Sequence, residues 1–270
     1  MENKYFKPDY HQLNRKAERV NGNNGQGRDL LQRFFPVTRR EDLSPQRPET
    51  LARLDDRISR IKKNIDWEQD IHNASYVAFD TETTGLDPYR GDEIIALGAV
   101  IIENQTILEE PYFCRLINPN RPVSKQSQRI TGINNEMLKD KPDLIPVLND
   151  FLDFCESRIL VAHNAPFDLA FINKRVAEAI GRRIVNPVID TVLLTSSLFY
   201  SFGDYSLEGL APRFNLDLQG RHTALADARI AATLFIKLLP ILKERKITRL
   251  HHLATLFSDL DLTKGYPLIF

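Results

Sequence analysis

The chain reads as an α/β protein, a mixed sheet of about five strands flanked by helices and preceded by a helical extension. Three observations predict this. Strand-type segments follow one another closely near 75–81, 94–102 and 106–117, the layout of an antiparallel meander. Beyond them, helical segments near 143–155, 167–180 and 224–239 alternate with short apolar runs at 159–162 and 187–190. A hydrophobic fraction of 42% over 270 residues is enough for one self-supporting domain with extensions at either end.

Taken in order, residues 1–72 form an N-terminal extension. Polar breaks at Asn21–Gly27 and Ser44–Pro48 mark it as partly flexible. Near 49–65, Leu51, Leu54, Ile58, Ile61 and Ile65 recur at steps of three and four, which puts one apolar stripe on a helix. Docking on the chain's own domain is the simpler use of that stripe; a polymerase or regulatory protein is the other. Residues 73–245 make the main domain. Its first strand, Ser75-Tyr76-Val77-Ala78-Phe79-Asp80-Thr81, is β-branched and aromatic in character. Ile159-Leu160-Val161-Ala162 is short, wholly apolar and of buried-strand type. The last long helix has Thr223 as its N-cap and runs through Ala224 and Asp227 to about Leu239. In the tail, 246–270, the leucines at 250, 253 and 256 with Phe257 predict a terminal helix. His251 and His252 have no acidic neighbour at ligand spacing and read as surface residues.

Four acids and one histidine carry the chemistry. Asp80 and Glu82 alternate along a strand, so both leave on one face, and their mutual repulsion is relieved by a divalent cation between them. Hard carboxylate oxygens suit magnesium or manganese rather than zinc. Asp168 falls in the first turn of a helix that follows a strand, where an acid is also favoured by the helix dipole alone. His222 stands just before the last helix and Asp227 in its second turn: a loop histidine able to take a proton near neutral pH, beside a rigidly held acid. Each cluster by itself is equally readable as a solvated acidic face or an ordinary capping turn.

Their order and wording, however, resemble the three exonuclease motifs of the DEDDh family: Phe79-Asp80-Thr81-Glu82-Thr83-Thr84-Gly85-Leu86, His163-Asn164-Ala165-Pro166-Phe167-Asp168 and His222-Thr223-Ala224-Leu225-Ala226-Asp227. The resemblance covers roughly Ser75 to Leu242. Threonine at 223, where the sister DEDDy group would carry tyrosine, indicates the histidine branch. It implies a ribonuclease H-like fold and a 3′→5′ exonuclease releasing nucleoside 5′-monophosphates, with two Mg2+ (or Mn2+) ions. Asp80, Glu82 and Asp227 would hold one ion, Asp80 and Asp168 would position the other, and His222 would be the general base. One ion would activate the attacking water and the other stabilise the leaving 3′ oxygen. The same resemblance makes Thr83, Thr84, Gly85, Leu86, Ile130 and Thr131 holders of the terminal nucleotide, with Leu86 pressing between the last bases, and adds His163, Asn164 and Phe167 to the substrate side.

Single-stranded or frayed DNA 3′ ends are the expected substrate, in proofreading or repair. The alternatives are an exoribonuclease and a non-catalytic nucleic-acid-binding module on the same fold. The formal net charge is zero, so no global field draws in nucleic acid and binding falls to local groups and the ions. Cys114 and Cys155 are isolated and suggest neither a disulfide framework nor a zinc site. With no apolar run near eighteen residues and no apolar segment at the start, the expectation is a cytoplasmic protein without membrane contact.

Overall fold

The structure, a computed structural model, describes residues 48–63 and 66–258. The expectations for 1–47, Ile65 and the end of the tail lie outside those residues. Five strands form one sheet in the order β3-β2-β1-β4-β5: β1 Tyr76–Thr83, β2 Ile94–Glu103, β3 Thr106–Leu116, β4 Ile159–Ala162 and β5 Val188–Asp190. The first three pair antiparallel, while β4 joins β1, and β5 joins β4, in parallel. The predicted meander and the two short buried strands are therefore present, as are the helices between them.

Alternation along β1 decides what each layer receives. Tyr76 lies edge-on to Phe235, 4.7 Å between centroids, on the face covered by the helix Ala224–Glu244 (α8). Phe79, of opposite parity, meets Phe151 at 5.6 Å on the helix Leu144–Cys155 (α4). Even-numbered Asp80 and Glu82 accordingly open toward the α8 side. Odd-numbered Thr81 turns to the other side, where the helix Ala165–Ile180 (α5) packs. A central strand covered on both faces has to be apolar throughout, and Tyr76 to Phe79 are all buried. In the β1–β2 register Asp80 faces Gly98 and Glu82 faces Ala96.

The extension helix α1, Pro48–Lys63, lies on the domain itself. Leu54 and Ile58 are fully buried and Ile61 nearly so, all within the main core. Arg53 and Arg57 both pair with Asp153 of α4, and Arg182 reaches Asp55 at 2.6 Å. Partly exposed pairs of this kind fix orientation more than they stabilise. Burial of the three apolar side chains holds the helix, at about 1.5–3 kcal/mol each.

Two expectations need correction. The last helix begins at Ala224, so Asp227 sits in its first turn, not the second. Thr223 does occupy the N-cap position, but its hydroxyl donates to the Gly220 carbonyl at 2.9 Å instead of capping the helix. The paired histidines of helix α9, Leu250–Ser258, are also less idle than their local sequence suggests. His251 Nδ1 lies 3.2 Å from Glu68, and His252 Nδ1 accepts the Thr248 and Arg249 N–H groups at 3.2 and 3.3 Å. An isolated bridge between Asp70 and Arg249 completes this junction of the two flanks. Among the described residues no helix is long and apolar enough to cross a membrane.

Candidate active site

The acids from three distant motifs converge on one edge of the sheet. Asp80 and Glu82 come from the end of β1, and α8 lays its first turn across the neighbouring strand, so that carboxylate oxygens of Asp80, Glu82 and Asp227 all lie within 4.8 Å of one another. That approach depends on Gly98. A Cβ there would stand 2.3 Å from the Leu225 nitrogen and 2.4 Å from the Ala224 carbonyl carbon, so only glycine lets the helix start rest directly on β2 opposite Asp80.

Asp168 sits beside this group, not within it. The β1–β4 pairing ends at Ala78–Val161, and Thr81 lies beyond it, where its N–H can turn to an acceptor outside the sheet. Asp168 Oδ1 takes that N–H at 2.9 Å and the Thr81 hydroxyl at 2.6 Å. The bonds fix Asp168 from behind, in the first turn of α5.

The electrostatics are those of a cage short of positive charge. Burial, then repulsion from Asp227, Asp168 and Glu82, pushes the Asp80 carboxyl well above the ordinary carboxylate range, with Arg221 opposing. Glu82 is raised in the same way, burial first and Asp227 next. Burial lifts Asp168 to about 7 and Asp227 to about 6. Asp227 is tied through Oδ2, which accepts the His222 N–H at 3.2 Å and pairs with Arg221, while its Oδ1 is buried with no hydrogen-bond partner. An orphaned carboxylate oxygen beside two further carboxylates is a hard, all-oxygen donor set, and it fits a divalent cation such as Mg2+ or Mn2+. Asp80, Glu82 and Asp227 are the residues that would hold it.

His222 is half-buried and takes a left-handed φ of 68°. Burial, followed by the nearby Arg221 charge, lowers its pKa, which leaves the imidazole neutral and able to accept a proton around pH 7.

On the other flank, Leu86 and Ile130 are exposed aliphatics, 59% and 46% accessible. The side chains of Thr84 and Thr131 are occupied internally. Thr84 donates to Asp92 at 3.0 Å and accepts from Glu93 N at 3.1 Å, and Thr131 donates to the Ser127 carbonyl at 2.9 Å and accepts from Ile133 N at 3.1 Å. Both hydroxyls are thus engaged within the protein. Thr83 donates to the Gly85 carbonyl at 2.6 Å, which sets the turn carrying Leu86. His163 Nδ1 is 2.8 Å from the Thr191 hydroxyl, and the Asn164 N–H donates to Asp190 at 3.1 Å. Burial drives His163 down to about 3, so it is neutral. Phe167 packs at 5.1 Å on Phe171.

Sequence reasoning missed Gly98, Thr81, Glu208 and Arg221. Arg221 adjoins His222 and so lay in view, but its partner Glu208 is thirteen residues away, on a helix, and only the fold brings the two together.

An acidic cage with a neighbouring histidine on a five-stranded sheet of this order defines the DEDDh class of ribonuclease H-like exonucleases. The chain belongs to the exonuclease family RNase_T, which its residues 77–235 match. It is 38% identical over 210 residues to the PolC-type DNA polymerase III of Thermotoga petrophila, across 78% of this chain and 15% of that protein. It is 39% identical over 168 residues to the DNA polymerase III epsilon subunit of Rickettsia typhi, across 60% of this chain and 72% of that one. The chain thus spans only a small part of the PolC-type relatives' length. The nuclease domain of 3′hExo, a DEDDh family member solved bound to rAMP, shares the fold with a TM-score of 0.56 at 19% identity, covering 67% of this chain and 98% of that domain.

Proposed function

We propose that the protein is a metal-dependent 3′→5′ exonuclease that removes nucleoside 5′-monophosphates from single-stranded or frayed DNA 3′ ends. The observation that carries this reading is the carboxylate group of Asp80, Glu82 and Asp227 with one orphaned buried oxygen, set beside a neutral His222. A bound divalent cation supplies charge neutralisation and Lewis acidity toward the phosphodiester. The chain's own residues do the rest. Asp80, Glu82 and Asp227 hold the cation, and Asp168, fixed by Thr81, adds a fourth carboxylate to the same edge. His222 takes the proton of the attacking water. Leu86, exposed on the turn after β1, separates the terminal base from its neighbour, with Ile130 opposing it. Duplex ends must first unpair, which costs about 1.4 kcal/mol per stacked step, so single strands and mismatched ends are the better substrates.

DNA is favoured over RNA because the PolC-type and epsilon-subunit relatives described above are named as DNA polymerase components. The same comparison supports a proofreading role beside a polymerase. Any such contact made by the extension uses residues other than Leu54, Ile58 and Ile61, which the domain itself covers. A purely binding role leaves the converged acids and His222 without a use. Matched DNA and RNA single strands incubated side by side with Mg2+ test the proposal: faster loss of DNA from the 3′ end is expected. Equal or faster loss of RNA would make the enzyme an exoribonuclease, and no hydrolysis of either would leave the binding module.

A further inference from the structure

We infer that Arg221 is a positioning residue for the cation: together with the His222 N–H it claims Oδ2 of Asp227 and thereby reserves Oδ1 for the metal, while Glu208 anchors its guanidinium from the far side. The inference rests on the metal-dependent reading above. A carboxylate on one side-chain torsion has a broad, nearly two-fold energy surface, so without a holder Asp227 swings freely between its two oxygens. Here one oxygen is taken twice and the other not at all. Oδ2 receives the His222 N–H at 3.2 Å and pairs with Arg221 Nη1, whereas Oδ1 is buried and unpartnered.

Arg221 is itself held. Its Nε donates to Glu208 Oε1 at 2.9 Å, and Glu208 stands in the first turn of the helix Leu207–Phe214 (α7), whose N-cap Ser206 accepts from Gly209 N. The planar fork of the guanidinium suits this double engagement, one nitrogen to each acid. Charge also favours a resident role. Glu208 neutralises Arg221, so the pair adds no net positive charge to repel an arriving cation, and nothing requires the arginine to leave. Outer partners of this kind commonly set metal affinity tenfold or more without touching the ion.

The test is calorimetric titration of Mn2+ into the full metal-free chain, alongside the melting temperature of the same samples. Arg221→Gln should bind Mn2+ about tenfold more weakly than the wild type, and Arg221→Lys should not restore it, because an ammonium lacks the fork. Glu208→Gln, which leaves Arg221 in place but unanchored, should weaken binding in the same direction by a smaller factor. A merely structural role would lower the melting temperature and leave the affinity where it was. Unchanged or tighter Mn2+ binding by Arg221→Gln would overturn the inference, making Arg221 a counter-ion that metal displaces. Should that variant fail to fold, unchanged affinity in Glu208→Gln overturns it instead. A wild-type chain that binds no Mn2+ would remove the metal reading itself, and the positioning role with it.

Discussion

Replacing Gly98 with alanine is the smallest change that should disable the site without touching an ionisable group. The added Cβ would come to 2.3 Å from Leu225 N, 2.4 Å from the Ala224 carbonyl carbon and 2.6 Å from its oxygen, where ordinary contact begins at 3.4 Å. All three are backbone atoms, so no side chain can swing aside, and the start of α8 must withdraw by about 1 Å. Asp227 and His222 move with it, while Asp80, across the register from residue 98, stays with the sheet. A misplacement of about 1 Å at a catalytic constellation costs roughly a hundredfold in rate, and overpacking costs about 1–3 kcal/mol in stability. Alanine is no worse than glycine in a strand as such, so neither loss is attributable to strand propensity. Single-turnover hydrolysis of a short single-stranded oligonucleotide at saturating Mn2+, with a denaturant melt of the same protein, measures both effects. Wild-type rate and stability in Gly98→Ala would refute the claim that close backbone packing at Gly98 sets the Asp80–Asp227 spacing.

Three further outcomes follow from the same geometry. His222→Ala should lose about a hundredfold or more in rate yet keep its Mn2+ affinity by calorimetry; lost affinity would make His222 a ligand instead of a base. The raised carboxyls of Asp80, Glu82, Asp168 and Asp227 favour protonation in the folded state, so the stability they permit is full below about pH 4 and is lost as pH rises, through about 6 for Asp227 and about 7 for Asp168. The melting temperature in EDTA should therefore fall from about pH 5 to about pH 8, and Mn2+ should restore it most at the upper end; a rise across that range in EDTA would contradict the shifts. Ile58→Ala, on the fully buried stripe of α1, should destabilise by about 2–5 kcal/mol while short oligonucleotides are still hydrolysed at the wild-type rate below the melting point, and an unchanged denaturant midpoint would show that α1 is not part of the core.

Much of this architecture was legible because its signals are local. The meander and the two short strands announce themselves by runs of β-branched and apolar residues, and the same-face placement of Asp80 and Glu82 follows from alternation alone. The stripe on α1 predicted a buried face, although periodicity cannot say which surface covers it. What escaped notice depends on distance in the chain. Gly98 carries no sign of its role, since a strand glycine announces a close approach but not what approaches. Thr81 became a holder of Asp168 only because the β1–β4 pairing stops at Ala78. The hydroxyls of Thr84 and Thr131 are engaged by Asp92, Glu93, Ser127 and Ile133, bonds made by loop geometry that spacing does not reveal. His251, in the tail, found its acid in Glu68 of the N-terminal extension, on the far side of the domain in sequence.

The central claim is that three carboxylates and a neutral histidine remove nucleotides from a 3′ end with a cation held partly by Asp227. A single-stranded DNA oligonucleotide labelled at its 5′ end, incubated with wild type and with Asp227→Asn in Mg2+ and in EDTA, tests it most directly. The wild type in Mg2+ should give a ladder that shortens one nucleotide at a time with the label always on the longer fragment, and the variant and the EDTA samples should leave the strand intact. Labelled mononucleotide as the first product, or an undiminished ladder from Asp227→Asn or in EDTA, would contradict it.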